Sequence, residues 1–318
     1  MIARAIKRLS ALAAGVITLA ACDPVGVPRS SPLPTVRPPQ PVIAPLVKPP
    51  SAKSLALRDY YARVEQTYTA QGLLRVDGGG PDTPFTRRQL VDNFIKIALF
   101  EEFTQVGSRL IAQERESRLH RWIEPVRIKV EYGDSVPLAQ RQKDSADIAR
   151  YANRLARLTG HPISHNVGTA NFHVFIVNED ERQQIGPALQ AIIPDITPTA
   201  IGTVQSMQRS TLCLVFARDP GNDGIYTDAV AVIRAEHPDL LRLSCIHEEL
   251  AQGLGLSNDS PAARPSVFND DEEFGLLTSQ DELMLRMLYD PRLRTGMTAT
   301  QARPIAEQIA LELMGGDS

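Results

Sequence analysis

The sequence predicts an α+β fold. Three observations carry that expectation. Stretches with helical periodicity alternate with short stretches rich in β-branched and aromatic residues. Gly, Pro, Asn and Asp punctuate the joints between them. Two of the strand-like stretches follow each other directly across a turn, so the order is not a plain strand–helix alternation. The chain has 318 residues, 43% of them hydrophobic, which is enough for one large domain with its own core. No internal repeat is visible.

The elements follow in order from residue 51. Residues 55–71 have helical spacing and stop at Gly72, and DGGGPDTP is a loop. Thr86 and Gln89 have the spacing of a capping box, which starts a long helix with Leu90, Phe94, Ile97 and Ala98 on one face, extended as far as Ile111. Residues 125–132 alternate and read as a strand. Residues 144–160 form an amphipathic helix closed by Gly160, and ANFHVFIVN is a second strand. EDERQQIGPALQAII reads as one helix. STLCLVFARD and IYTDAVAVIRAE are strands joined across PGNDG, a hairpin-type turn. Residues 237–256 are the next helix. A loop then leads to helices over 279–289 and 299–314.

The N-terminus carries different information. Arg4, Lys7 and Arg8 precede a short apolar run that ends in Leu19-Ala20-Ala21-Cys22. That order is a secretory signal over residues 1–21, and Leu-Ala-Ala-Cys resembles the bacterial lipobox. The resemblance implies cleavage before Cys22, acylation of its thiol and anchoring in a bacterial membrane, since several acyl chains hold a protein stably where one does not. Asp23 resembles an inner-membrane retention signal, but inner and outer membrane both stay open. Residues 22–50 contain ten of the chain's 24 prolines and read as an extended spacer, reaching up to roughly 80 Å at ~3.1 Å per residue. The domain proper is then 51–318, facing the periplasm. A net charge of -3 without a basic stripe excludes a nucleic-acid partner. Setting Cys22 aside leaves Cys213 and Cys245, which in an oxidising compartment are read as a disulfide; two buried thiols are the alternative.

Chemistry concentrates in the helix over 237–256. The zinc-peptidase pattern H-E-x-x-H-x-x-G-x-x-H-D places two ligands on one helix face at i and i+4, a general base beside the first, and a glycine turn that returns a third ligand. Glu249, Gly255 and Asp259 match that pattern. The three ligand positions hold Glu248, Gln252 and Asn258. One carboxylate and two amide oxygens suit hard ions and hold zinc weakly. The expected reading is a hydrogen-bonded cleft with no cofactor; the alternative is one divalent metal ion on Glu248, Gln252 and Asn258 with Glu249 as general base. His247 lies about 100° around the helix from Glu248 and has Ala251 four residues on, so it reads as a structural histidine. His161, His165 and His173 follow no metal-ligand spacing, and no phosphate-binding glycine loop is present.

CIHEELAQGLGLSNDS, SVFND and DELMLRMLYDPRLRTGM, with RWIEPVRIKVEYG and ANFHVFIVN, resemble a bacterial lipoprotein family known as domain of unknown function 2927. The resemblance implies a zincin-like domain, a twisted sheet packed on an active-site-type helix with flanking helices, with altered metal positions. It implies no activity. The resulting expectation is a degenerate, non-catalytic protein that binds an envelope protein, a peptide or a glycan in the cleft. The alternative is an atypical metal-dependent peptidase.

Overall fold

The structure is a computed structural model that describes residues 48–106, 109–165 and 168–315, with the backbone alone described over 102–114. Residues 1–47, which include Cys22 and on which the signal, anchor and most of the spacer readings fall, lie outside the described residues. Among the described residues no helix is long and apolar enough to cross a membrane.

Helix α1 (Ala52–Ala70) opens on Ser51, whose hydroxyl accepts the Ser54 N–H. Helix α2 (Arg87–Ala98) opens on the expected capping box: Thr86 accepts the Gln89 N–H, and the Gln89 side chain accepts the Thr86 N–H. It ends much earlier than its apolar spacing suggests. From Phe100 the chain becomes a hairpin, β1 (Phe100–Val106) antiparallel to β2 (Arg109–Glu116), so Ile111 is in a strand and not on the helix face. Strand pairing, and not local spacing, decides the outcome here.

After β3 (Arg121–Trp122), β4 (Val126–Tyr132) starts the main sheet. Helix α3 (Leu138–Thr159) starts six residues before the expected point and closes at Gly160 with φ +66°. Strands β5 (Ile163–His165) and β6 (Phe172–Val177) follow. The stretch read as one helix divides into α4 (Glu179–Gln183) and α5 (Gly186–Ile192), broken before Gly186-Pro187, and α6 (Pro198–Gln205) comes next. Strands β7 (Cys213–Arg218), β8 (Ile225–Tyr226) and β9 (Asp228–Arg234) precede α7 (Asp239–Gln252), α8 (Ser279–Leu288) and α9 (Ala299–Met314).

The fold is α+β. Its five-stranded sheet has the order β5-β4-β6-β9-β7. All pairs are parallel except β7–β9, where Cys213 faces Ile233 and Arg218 faces Asp228, the expected antiparallel pair around PGNDG. Alternation sorts side chains to two faces. Phe172, Val174, Ile176, Ala229, Ala231 and Ile233 pack in the main core with residues of α2, α3, α7, α8 and α9. Phe175, Val177, Val230 and Val232 meet Leu189, Ile193 and Val204 on the other face. Continuous apolar runs such as β9 are the mark of parallel strands covered on both sides. Helix α7 lies on the first face against β7 and β9.

Candidate functional site

Helix α7 carries the motif, and its position is fixed from two directions. Its apolar side chains Leu241, Ile246, Leu250 and Ala251 are buried. Cys245, also buried, is disulfide-bonded to Cys213 at the start of β7, with Cα atoms 5.9 Å apart. The expected bridge therefore joins the antiparallel edge strand to the motif helix. Among the described residues β7 pairs with β9 alone and stands at the end of the sheet order.

Glu248 and Glu249 point their carboxylates into one place. With Cys213 Sγ, one oxygen of each lies in a group whose atoms are all within 4.8 Å of one another. Glu248 Oε2 is 4.0 Å from Cys213 Sγ, a contact and not a hydrogen bond, because a disulfide sulfur has no proton to donate. Glu248 is half-buried and Glu249 is buried.

The other motif positions have partners of their own. Gln252 is buried and donates Nε2–H to Asp259 Oδ1 at 3.1 Å. Asn258 donates Nδ2–H to the Lys96 carbonyl at 3.0 Å and its backbone N–H to the Ile97 carbonyl at 3.0 Å. Those carbonyls belong to the last turn of α2, where no intrahelical donor reaches them. Asn258 is thus the C-terminal cap of α2. The turn between Gln252 and Asn258 is clamped as well. Trp122 Nε1–H donates to the Gly253 carbonyl at 2.8 Å, and the Tyr289 hydroxyl donates to the Leu254 carbonyl at 3.0 Å. Gly255 has φ +122°, and a Cβ there would stand 2.2 Å from the His120 carbonyl oxygen. Only glycine fits both constraints.

His247 is inside the protein. Its ring stacks on Tyr151, centroids 3.9 Å apart and planes 10° from parallel. Its Nδ1 accepts the Leu277 N–H at 3.1 Å, which places the ring proton on Nε2. Burial, with Arg154 nearby, pulls its pKa down to about 3, so the ring is neutral. The structural reading of His247 holds. Of the other histidines, His173 in β6 faces Glu131 Oε1 at 3.3 Å, and His161 Nε2 bonds the Glu124 carbonyl.

The partner of Gln252, Asp259, belongs to a group of carboxylates with Asp270 and Glu272. Burial raises the Asp259 pKa to about 7, with the Asp270 charge adding to the effect. Asp270 and Glu272 are themselves raised, by burial first and then by their acidic neighbours. Sequence reading identified Asp259 but not Asp270 or Glu272, which the NDDEEFG loop returns from outside the motif. It also missed Trp122 and Tyr289, whose polar tips hold the turn; nothing local in the sequence marks an aromatic as a donor to a backbone 131 residues away in one case and 35 in the other.

The donors a metal ion would find here are limited by the bridge. Zinc sites with an open position use three protein ligands. With Cys213 Sγ held in the disulfide, the group offers two carboxylates, and the side chains of Gln252 and Asn258 are oriented by hydrogen bonds to Asp259 and to the Lys96 carbonyl.

Comparison with known proteins gives one match. The family described as "Protein of unknown function (DUF2927)" matches residues 87–308, more than half of the chain. No curated protein and no solved structure matches the sequence.

Proposed function

Since the chain belongs to the DUF2927 family, whose description carries no activity, we propose from the site itself that it is a non-catalytic binding protein of the bacterial envelope. Its zincin-like domain holds an extended peptide segment of another envelope protein along the outer edge of β7. The lipobox-like Leu19-Ala20-Ala21-Cys22 supports a lipid anchor, and the Pro-rich segment after it supports a tether that sets the domain away from the membrane. A helix under the sheet followed by a glycine turn supports the zincin-like reading, because those are the two features the motif resemblance implies.

One observation carries the non-catalytic reading. The position of the third metal ligand is occupied by Asn258, and its amide caps α2. The peptide reading draws on β7, which among the described residues pairs with β9 alone and carries Cys213 beside the Glu248 and Glu249 carboxylates, an arrangement suited to strand addition. Those carboxylates favour a segment with a basic side chain near Cys213.

A random peptide pool passed over the immobilised full chain tests this. Peptides recovered intact and enriched in Lys or Arg support it. New peptide termini, absent with Glu249→Gln, would replace it with the metal-dependent peptidase reading, for which the buried Glu249 stands at the base position.

A further inference from the structure

We infer that the Cys213–Cys245 disulfide masks a zinc site, and that its reduction assembles Cys213, Glu248 and Glu249 as three protein ligands with a fourth position open. This does not depend on what the cleft binds. The three donor atoms already lie within 4.8 Å of one another, and the sulfur is 4.0 Å from the Glu248 oxygen. Around a tetrahedral zinc ion with bonds of about 2.3 Å to sulfur and about 2.0–2.2 Å to oxygen, ligand atoms stand roughly 3.4–3.6 Å apart. No pair in the group exceeds that spacing by more than about 1.4 Å.

The charges favour the same outcome. A thiolate beside two carboxylates in a half-buried place is repelled by both. A divalent cation removes that repulsion and deprotonates the thiol on binding. Thiolate sulfur also supplies the soft ligand that Glu248, Gln252 and Asn258 lack.

The redox step balances with a dithiol as reductant. Cys213 is the accessible sulfur, half-buried on an edge strand, whereas Cys245 is buried. A reductant thiolate bonds to Cys213 Sγ, the bond to Cys245 breaks, and Cys245 leaves with the electron pair and takes up a proton. The second reductant thiol, losing its proton, then closes on the first and releases Cys213 as a thiolate, which the metal ion takes. Two electrons pass from the dithiol to the protein. Cys245 stays inside, with its sulfur 3.8 Å from His237 Nδ1.

Cobalt(II) titration of the full chain in a Cys22→Ser background tests this, read by the near-ultraviolet thiolate-to-cobalt charge-transfer band. The oxidised protein should give no band. The reduced protein, and the Cys245→Ser variant without any reductant, should give one at about one equivalent, displaced by zinc. Cys213→Ser should abolish it. Glu248→Gln added to Cys245→Ser should weaken cobalt binding about tenfold or more, by analogy with the loss of supporting groups at other metal sites. A folded Cys245→Ser protein that binds cobalt no better than Cys213→Ser would overturn the inference, as would a band indifferent to Glu248→Gln and Glu249→Gln together. Loss of the fold both on reduction and in Cys245→Ser, followed by near-ultraviolet circular dichroism, would overturn it too, since no folded state would then present the thiol.

Discussion

The side-chain amide of Asn258 donates to the carbonyl oxygen of Lys96 at 3.0 Å. Through that bond the residue at the third-ligand position of a metal motif serves as the end-cap of another helix. The role requires a donor. Asn258→Ala should lower stability by about 1–2 kcal/mol, the range for leaving a buried acceptor unsatisfied. Asn258→Asp should cost more, because at neutral pH a carboxylate accepts only and would face the Lys96 carbonyl. Urea denaturation of the three proteins gives the order, and an Asp variant as stable as the native chain would remove the capping role.

Gly255→Ala should be among the most damaging single changes in the domain. The left-handed φ of +122° costs an L-residue about 1–3 kcal/mol, and the 2.2 Å approach to the His120 carbonyl forces a backbone shift costing about 1–3 kcal/mol more. A loss of about 3 kcal/mol or greater in chemical denaturation is expected. By contrast, at Gly160 the φ of +66° strains a side chain but a Cβ meets nothing within 4 Å, so Gly160→Ala should cost about half as much.

What was legible in the sequence is what depends on local chemistry. The Thr86–Gln89 box, the Gly160 stop and the alternation around PGNDG depend on neighbours three to twenty residues away, and each appears where the sequence places it. The Cys213–Cys245 pairing was legible by arithmetic. Partners brought in from a distance were not. The stretch after Ala98 continues an apolar spacing that fits a helix, and only the pairing of Phe100 with Glu116 and Val106 with Arg109 makes it a hairpin. In the same way, Gln252 and Asn258 were recognisable as non-imidazole residues at ligand positions. That one faces Asp259 and the other caps α2 follows from packing that no spacing records.

Glu179 holds two buried guanidinium groups. Arg182 and Arg234, each 1% exposed, converge on its Oε2 at 2.7 and 2.8 Å. Burial alone would raise the carboxyl, but hydrogen bonds from Arg182, Lys53 and Arg234 outweigh it and hold the pKa at about 2. A folded pKa below the unfolded 4.5 means stability that is present above that value and lost as pH falls towards 2. Glu179→Gln should therefore cost about 3–5 kcal/mol at pH 7, the range for stranding a buried charge, and much less at pH 2. Equal losses at both pH values would show that shape and not charge is what Glu179 supplies.

His247 should add to acid sensitivity from a different range. The unfolded imidazole takes a proton near pH 6.5, whereas the folded one stays neutral to about 3. The unfolded state then binds more protons across that window, so stability falls on acidification from pH 6.5 by up to about 1.4 kcal/mol per pH unit. His247→Phe keeps a ring to stack on Tyr151 but leaves the Leu277 N–H without its acceptor. It should be less stable by about 1–3 kcal/mol at pH 7. The gap should close as pH drops below 6, and parallel curves would contradict the neutral, buried histidine.

Asp259 should act in the opposite sense. Burial, aided by the Asp270 charge, raises its pKa from 3.8 to about 7. Between those values the folded chain binds the extra proton, so this group's contribution falls as pH rises from about 4 to about 7 and is lost above. Asp259→Asn removes the ionisation but keeps an oxygen to accept the Gln252 Nε2–H. The variant should match the native protein at pH 4 and exceed it at pH 8, by about 1–2 kcal/mol given partial exposure to solvent. The same substitution lowers the negative charge beside the motif, so denaturation at pH 8 must be compared with Asp270→Asn. If Asp270→Asn stabilises while Asp259→Asn does not, the proton resides on Asp270, and Asp259 accepts the Gln252 Nε2–H as a carboxylate across that range.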